Sequence, residues 1–369
     1  MPLTDIDGQR LGDSVADKLG VRNLLINGAM QVSQRTTSTT GVTTGEYRAC
    51  DRWRLNVGTL GTWTIEQSTD APNGFSNSFK ATCTTADASP ASSDALQFFQ
   101  RIEAQNLQHL AFGTSDAKAF TISFYVKSNK TGSATLSMYQ NDNSNKQFST
   151  SYTVNSANTW EYKTITIPGD TAGLINNDNG LGLALEWWLN SGSNFTGGSH
   201  SASWTTFDNT NRNASNFGLG GAVNDYFQIT GVQLEVGNTA TPFEHRSYGE
   251  DLTRCQRYFQ GVDTRNEAAQ YYSFGVGMWV SAVKAYGVMS FQTEMRALPT
   301  SVDVSAANTF FVNSGNLSIT NFTTIALSQQ GRNSGVVALD GGSGGTNGRV
   351  GRWLNNNNNT AYCFFSAEL

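Results

Sequence analysis

The sequence predicts an all-β protein: a jelly-roll β-sandwich, a short helix, then a second and smaller C-terminal β-sandwich. Three observations predict it. Short runs of β-branched and aromatic residues alternate with period 2 and are punctuated by Gly, Asn, Asp and Ser clusters, as half-buried strands are. Charged residues make up 14% of the 369, against about 25% in an ordinary soluble domain, so the surface is solubilised by Asn, Ser, Thr and Gln. Helix signals are confined to two short stretches.

Taken in order, residues 1–44 read as an attachment segment. Leu11, Val15 and Leu19 form an apolar stripe at i, i+4, i+8. A helix this short is unstable alone in water, so it reads either as a frayed terminus or as a docking segment that folds against a partner or sister chains. Asp5, Asp7, Asp13 and Asp17, with no apolar run, do not make a signal peptide, which points to synthesis in a cytoplasm. Residues 45–246 read as the jelly roll. Its strands are expected near 52–57, 63–67, 79–84, 96–102, 120–126, 134–140, 160–167, 181–189 and 226–236. Within it, 191–221 is a long Gly/Ser/Asn-rich loop of the kind that is usually functional. Residues 247–261 read as a linking helix. Ser247 and Glu250 fit a capping box, Leu252, Cys255 and Phe259 supply an apolar face, and Gly261 is the stop. Residues 262–369 read as the second β-domain, with strands near 271–280, 285–295, 301–304, 309–312, 317–325 and 361–367 and low-complexity loops at 341–351 and 355–359.

Composition excludes several classes. Lys and Arg total 24 against 29 Asp and Glu, a net charge of −5, which leaves no excess cation for nucleic acid. No stretch approaches the roughly 20 apolar residues of a membrane span, so no membrane insertion is expected. Hydrophobic residues at 38% are too many for a disordered chain. Cys50, Cys83, Cys255 and Cys363 are widely spaced and read as buried free thiols, with a Cys50–Cys83 bridge as the alternative. Neither they nor His109, His200 and His245 make a zinc pattern. No catalytic residue, cofactor or metal site is expected, although a structural ion such as calcium stays open. Residues 341–345 match G-x-S-x-G but sit in a Gly-rich loop without the strand–helix context that the nucleophile elbow needs. Glu161, Glu186, Asp225 and Glu235 lie on or beside expected strands. They read as surface or hydrogen-bonded acids unless two converge about 5–9.5 Å apart in a cleft.

Aromatics are the stronger signal for binding. Trp187 and Trp188 are adjacent on a strand and face opposite ways, so one is core and the other, Trp188, is a candidate for stacking on a sugar ring, together with Trp204. In the C-terminal domain, Trp353 with Arg349, Arg352, Asn356 and Asn358 offers a ring, two guanidinium groups and amides. That cluster is the first choice for a glycan site and the Trp188/Trp204 region the second. The competing reading is that these rings simply pack inside.

Three segments carry a resemblance. They are Arg22-Asn-Leu-Leu-Ile-Asn-Gly-Ala-Met-Gln-Val-Ser-Gln-Arg35 with Cys50-Asp-Arg-Trp53, then Gly231-Val-Gln-Leu-Glu-Val-Gly237 running into Thr241–Glu250 and Cys255–Phe259, and Met295–Thr300 with Ser366–Leu369. In these the chain resembles tail-fibre-like structural proteins of tailed phages, particularly those infecting marine bacteria. The resemblance implies a virion protein with a carbohydrate-binding-module-like jelly roll. It implies a homotrimer, attached to other tail or capsid proteins through its N-terminus, whose task is attachment to host-surface polysaccharide. It brings no catalytic residues. The alternative is a decoration or adaptor protein that is structural only.

Overall fold

The computed structural model describes residues 22–140, 142, 145–265, 267–268, 270–315, 322–357 and 359–369. Leu11, Val15 and Leu19 therefore lie outside the described residues, as does Asn358. The chain divides into two compact units, one ending at Asp251 and the other running from Leu252 to Glu368.

The first unit contains β1 (Ser38–Val42), β2 (Glu46–Tyr47), β3 (Arg54–Gly58), β4 (Thr62–Ser68), β5 (Ser78–Thr85), β6 (Ala95–Glu103), β7 (Phe120–Ser128), β8 (Gly132–Gln140), β9 (Lys146–Val154), β10 (Glu161–Ile167), β11 (Leu181–Ser191), β12 (Thr205–Thr206) and β13 (Tyr226–Val236). They form two antiparallel sheets ordered β1-β4-β5-β13-β7-β10 and β12-β9-β8-β11-β6-β3-β2. Every strand expected in 45–246 is present. β9 was not anticipated, because Ser and Thr occupy much of its length and dilute the apolar alternation. Between the sheets, Trp53 stacks on Phe98 with ring centroids 4.9 Å apart, and Trp187 meets both edgewise or tilted at 5.8 and 5.7 Å. Each fully buried ring of this kind is worth about 1.5–3 kcal/mol of transfer energy, so this aromatic cluster is the centre of the sandwich.

Residues 22–44 belong to the sandwich; β1 pairs with β4. The segments that carry the phage resemblance are hydrogen-bonding hubs here. Buried Asn27 bonds the Val32 amide and, through its NH2, the Val32 and Asp51 carbonyls, while the Trp53 indole donates to the Asn27 carbonyl at 2.9 Å. Asn23 donates to the Val232 carbonyl and accepts from the Leu25 and Leu234 amides. Glu244 accepts from the Arg22 and Asn23 amides at 2.8 and 2.7 Å, and the Arg246 guanidinium returns a bond to the Asn23 carbonyl at 3.0 Å. Glu235 takes the Thr241 amide and hydroxyl. Gly28 is required by close approach: a Cβ there would run into the Val232 carbonyl oxygen.

Helix α1 (Tyr248–Gln256) follows, and the division between the units falls inside it. The capping box forms. The Glu250 amide reaches the Ser247 hydroxyl at 3.3 Å and the Glu250 carboxylate accepts from the Ser247 amide at 3.0 Å. The expected apolar face is only partly correct. Cys255 is buried and Leu252 half-buried, but the helix ends before Phe259, and Gly261 lies within a strand.

The second unit contains β14 (Phe259–Asp263), β15 (Ser273–Trp279), β16 (Lys284–Ser290), β17 (Ser301–Val304), β18 (Phe310–Asn313), β19 (Thr324–Gln330), β20 (Ser334–Asp340), β21 (Val350–Asn355) and β22 (Tyr362–Ser366). Its sheets are ordered β14-β22-β17 and β18-β21-β15-β16-β20-β19. Phe274, Phe310, Trp353, Cys363 and Phe365 lie in its core. Gly287 makes room for a ring: a Cβ on it would lie 2.7 Å from the Trp353 indole. β14, β20 and β21 were not expected, and the strand expected near 317–325 lies mostly outside the described residues, β19 beginning only at Thr324. β20 has an unbroken apolar stretch and no alternation to read. Residues 341–345 follow β20 and lead through turns to β21, with no helix, so the elbow geometry is absent. All four cysteines are buried and none is in a disulfide, so no Cys50–Cys83 bridge forms. Burial holds the Cys50 and Cys363 thiols well above their ordinary pKa, with Asp51 and Asp303 adding to it.

Candidate functional site

Strand register sorts the seven-stranded sheet into two faces. β11 pairs Glu186 with Phe99 and Ser137, and β3 pairs Arg54 with Phe99 and Tyr47. Arg54, Phe99, Glu186 and Ser137 therefore lie in one row on the face away from the core, with Trp188 and Tyr139 in the rows beside it. Residues 192–221 fold over the β11–β8–β9 part of that face.

The attachment of this loop is specific. Gln147 on β9 donates to the Asp208 carbonyl and accepts from the Asp208 amide, at 3.0 and 3.1 Å. Thr135 exchanges bonds with the Ser215 backbone. Arg212 reaches down to the sheet, where one guanidinium nitrogen lies 2.8 Å from both Glu186 oxygens. The Trp188 indole donates to the same carboxylate at 3.0 Å. The guanidinium carbon sits 4.7 Å from the Trp188 ring centroid, 5.4 Å from Tyr139 and Phe207, and 6.0 Å from Phe195. An ion pair enclosed by four rings thus holds the loop to the sheet.

Above this anchor the loop forms an open cleft of about 780 Å³, walled by residues that include His200, Thr205, Thr206, Phe207, Asp208 and Asn209. Its walls offer hydroxyls, amides, one aromatic edge and one carboxylate. The His200 ring is held between the Ser149 and Ser215 hydroxyls at 3.2 and 2.9 Å. Burial lowers its pKa from 6.5, which favours the neutral ring. Asp208 accepts from the Thr210 amide and hydroxyl at 2.9 and 2.8 Å, and those bonds hold its carboxyl below the usual range. A cleft of this kind is suited to hydroxyl-rich ligands, which meet hydrogen-bonding groups and the Phe207 ring at the rim.

The expected binding residues fall differently. Trp353 is fully buried beside Phe274 and Phe310, 5.5 and 5.8 Å away. Arg352, its neighbour on β21, points the other way and is exposed, as is Arg349. The first-choice cluster is therefore not assembled, because strand alternation sends its ring and a guanidinium to opposite faces. Asn356 is half-buried and its amide donates to the Thr309 carbonyl at 2.7 Å. Trp188 does turn away from the core, as expected, but it is fully buried under Arg212 and Phe195. Trp204 is half-buried against Phe112 and Phe148, and its indole donates to the Pro168 carbonyl at 2.6 Å. Each of the four carboxylates has its own hydrogen-bond partners. Glu161 is bonded by Asn155, Ser156 and Lys163, Asp225 by the Gly220 and Ala222 amides, Glu186 by Arg212, and Glu235 by Thr241. Among the described residues no group of His, Cys, Asp and Glu is arranged to hold a metal ion, and no helix is long and apolar enough to cross a membrane. Phe207, Asp208 and Arg212 were missed. Their only sequence signal is an aromatic, an acid and a cation inside an otherwise neutral loop.

No family model matches the chain, and no curated protein matches it in sequence. Among solved structures it is similar to the enzymatically active domain of tailspike protein 4 of bacteriophage CBA120, with 14% identity and a TM-score of 0.31 over 58% of this chain; the match covers 21% of that chain. It is also similar to a family 11 carbohydrate-binding module from Clostridium thermocellum in complex with a β-1,3-1,4-mixed-linked tetrasaccharide, with 10% identity and a TM-score of 0.26 over 56% of this chain and 98% of that one. A third is the xylanase 10B from the same organism, a carbohydrate-binding and catalytic module pair complexed with xylohexaose, with 11% identity and a TM-score of 0.30 over 64% and 33%.

Proposed function

We propose that this chain is a trimeric receptor-binding component of a tailed-phage fibre that holds a host-surface glycan without cleaving it, in the cleft walled by residues 199–211. The observation that carries the reading is the cleft itself: hydroxyls, amides and one carboxylate beside the Phe207 ring, on a loop anchored by Arg212 to the sheet. Loops on a sandwich vary without cost to the core and suit a changing receptor. Apart from the Asp208 carboxylate the walls are uncharged, unlike the arginine-bearing cluster expected at residues 349–358. Of the walls named above, Asp208 brings the only carboxylate and spends it on Thr210, whereas glycoside hydrolysis uses a pair. Three weak sites in one trimer act together by avidity. The phage assignment itself rests on the residue motifs quoted above.

The test is adsorption to purified host envelope polysaccharide. Thr206 is exposed on the cleft wall, so Thr206→Arg blocks the cleft without touching the core. It should reduce binding at least tenfold, and the wild-type protein should release no reducing ends. Undiminished binding by the variant would remove the cleft from the reading. The burial of Trp188 and Trp353 favours a second reading, a decoration protein that is structural only; it expects no polysaccharide binding by the wild-type chain.

A further inference from the structure

Strand alternation gathers cations on the outer face of the seven-stranded sheet in the first unit. Leu55 and Val57 on β3, and Leu96, Phe98 and Ile102 on β6, point into the core. Arg54 and Asn56 on β3, and Gln97, Phe99 and Arg101 on β6, therefore point away from it. Phe99 faces outward and is nevertheless only 4% exposed. Two half-buried arginines lie against it, Arg101 with its guanidinium carbon 5.2 Å from the ring centroid and Arg54 at 5.6 Å. Beside them the Asn56 amide donates to the Gln97 side chain at 3.5 Å.

The charges on this part of the face do not balance. Arg212, which reaches the same face from the loop, is matched by Glu186. Arg35, which shares the Tyr47 ring with Arg54, is matched by Asp51. Glu103, two residues beyond Arg101, accepts from Gln105. Among the described residues neither Arg54 nor Arg101 has a carboxylate partner. Arg54 donates to the Gly45 carbonyl at 2.8 Å, and Arg101 lies beside the Tyr139 hydroxyl. Both neighbours are neutral, and the Nε atom of each arginine is buried without an acceptor. The chain as a whole carries a net charge of −5, so this local surplus of cation runs against its average. Two like charges held against one ring repel each other, and each half-buried guanidinium has given up part of its hydration. An anion set between them relieves both effects, and the guanidinium fork matches the paired oxygens of a carboxylate or sulfate.

We propose that Arg54 and Arg101, over Phe99, form a second binding site that takes the acidic group of an anionic saccharide, a uronate carboxylate or a sulfate ester. Asn56 and Gln97 offer their amides to its hydroxyls. The anion is argued from the charges alone; that its carrier is a saccharide rests on the proposed function. The site is separate from the cleft. Along the row Arg54–Phe99–Glu186–Ser137–Ser149, the Ser149 that holds His200 lies three strands beyond Phe99, about 14 Å away. The Arg212–Glu186 anchor stands between the two. A saccharide chain laid across the sheet thus meets hydroxyls and amides at one end and two guanidinium groups at the other.

The experiment is isothermal titration calorimetry of the full chain with digalacturonate, a sulfated digalactose, neutral digalactose and inorganic sulfate. At least one acidic disaccharide should bind with a Kd of about 1 mM or tighter and bind more weakly as salt is raised. Which of the two binds tells carboxylate from sulfate ester. The neutral disaccharide and inorganic sulfate should bind at least about tenfold more weakly, and Arg54→Gln or Arg101→Gln should cost the acidic probe as much. Urea melts check that the variants fold. Should Arg54→Gln not fold, Arg101→Gln, whose guanidinium holds no backbone carbonyl, gives the same reading. The proposal is overturned by failure of both acidic probes to bind, by affinity unchanged in the folded variants, or by neutral digalactose or inorganic sulfate binding as tightly as the acidic disaccharides. A disaccharide is too short to bridge the two sites, so Thr206→Arg, which blocks the cleft, should leave the acidic probe bound. Loss of polysaccharide binding in that variant alone concerns the cleft, and loss of the acidic disaccharide in the arginine variants alone concerns this site.

Discussion

Removing Glu186 should release the loop that forms the cleft. The Glu186 side chain is 5% exposed and that of Arg212 15%. Breaking a buried pair by deleting one member costs about 3–5 kcal/mol, because the other charge is left uncompensated. Two changes act on this figure in Glu186→Ala. The Trp188 indole loses its acceptor, adding about 1–3 kcal/mol. The four rings around Arg212 still attract the cation, at about 0.5–1 kcal/mol each, and its partial opening lets water help. The balance is a loss of about 3 kcal/mol, which lowers the melting temperature of a unit this size by about 6–12 °C. Arg212→Met strands the more deeply buried carboxylate and should cost as much or more. The double variant Glu186→Met with Arg212→Met replaces the pair by apolar volume and should fall within about 2 kcal/mol of wild type. Urea melts followed by tryptophan fluorescence on all four proteins give the coupling energy. If each single variant costs less than about 1 kcal/mol, or if the double variant loses the sum of the two, the pair is not the anchor described.

Three further outcomes are expected. Gly28→Ala forces a Cβ into the Val232 carbonyl and should cost on the order of 3 kcal/mol, read as a shift in the urea midpoint. Ser247→Ala removes the α1 cap and should cost about 1 kcal/mol, and Ser247→Thr should restore it. Acid should weaken the first unit in two ranges, which stability measured against pH resolves. Burial works against ionisation of Glu161, but its bonds from Lys163, Ser156 and Asn155 prevail and lower its pKa to about 2 from 4.5, so its contribution is present above 4.5 and fades between 4.5 and 2. His200, whose pKa burial lowers from 6.5, contributes fully above 6.5, and that contribution is lost as pH falls toward its folded value; His200→Gln should abolish only this upper step.

The sandwich architecture was legible because its signal is local. Period-2 runs such as Phe120–Val126 need no distant partner to be recognised, and Tyr226–Val236 was read with the bounds it has in the fold. The capping box at Ser247 is local too. The cleft was not legible, because it exists only where Gln147 on one strand meets Asp208 on a loop 61 residues away. Adjacent residues misled for the same reason. Arg352 and Trp353 look like one site in sequence, but consecutive strand residues occupy opposite faces and Gly287 opens the core face for the indole. Trp188 faces outward as the alternation requires, and only the returning Arg212 buries it.

The bonds joining residues 22–23 to residues 244–246 have a mechanical consequence. They clip together the two points at which the chain enters and leaves the jelly roll, Glu244 holding the Arg22 and Asn23 amides and Arg246 the Asn23 carbonyl. When the polypeptide is pulled from both directions, the load passes first across this clip, and the sheets beyond it carry no tension until it yields. While the clip holds, the sandwich lies outside the path of the load, and the loop anchored at Glu186 keeps its place on the sheet.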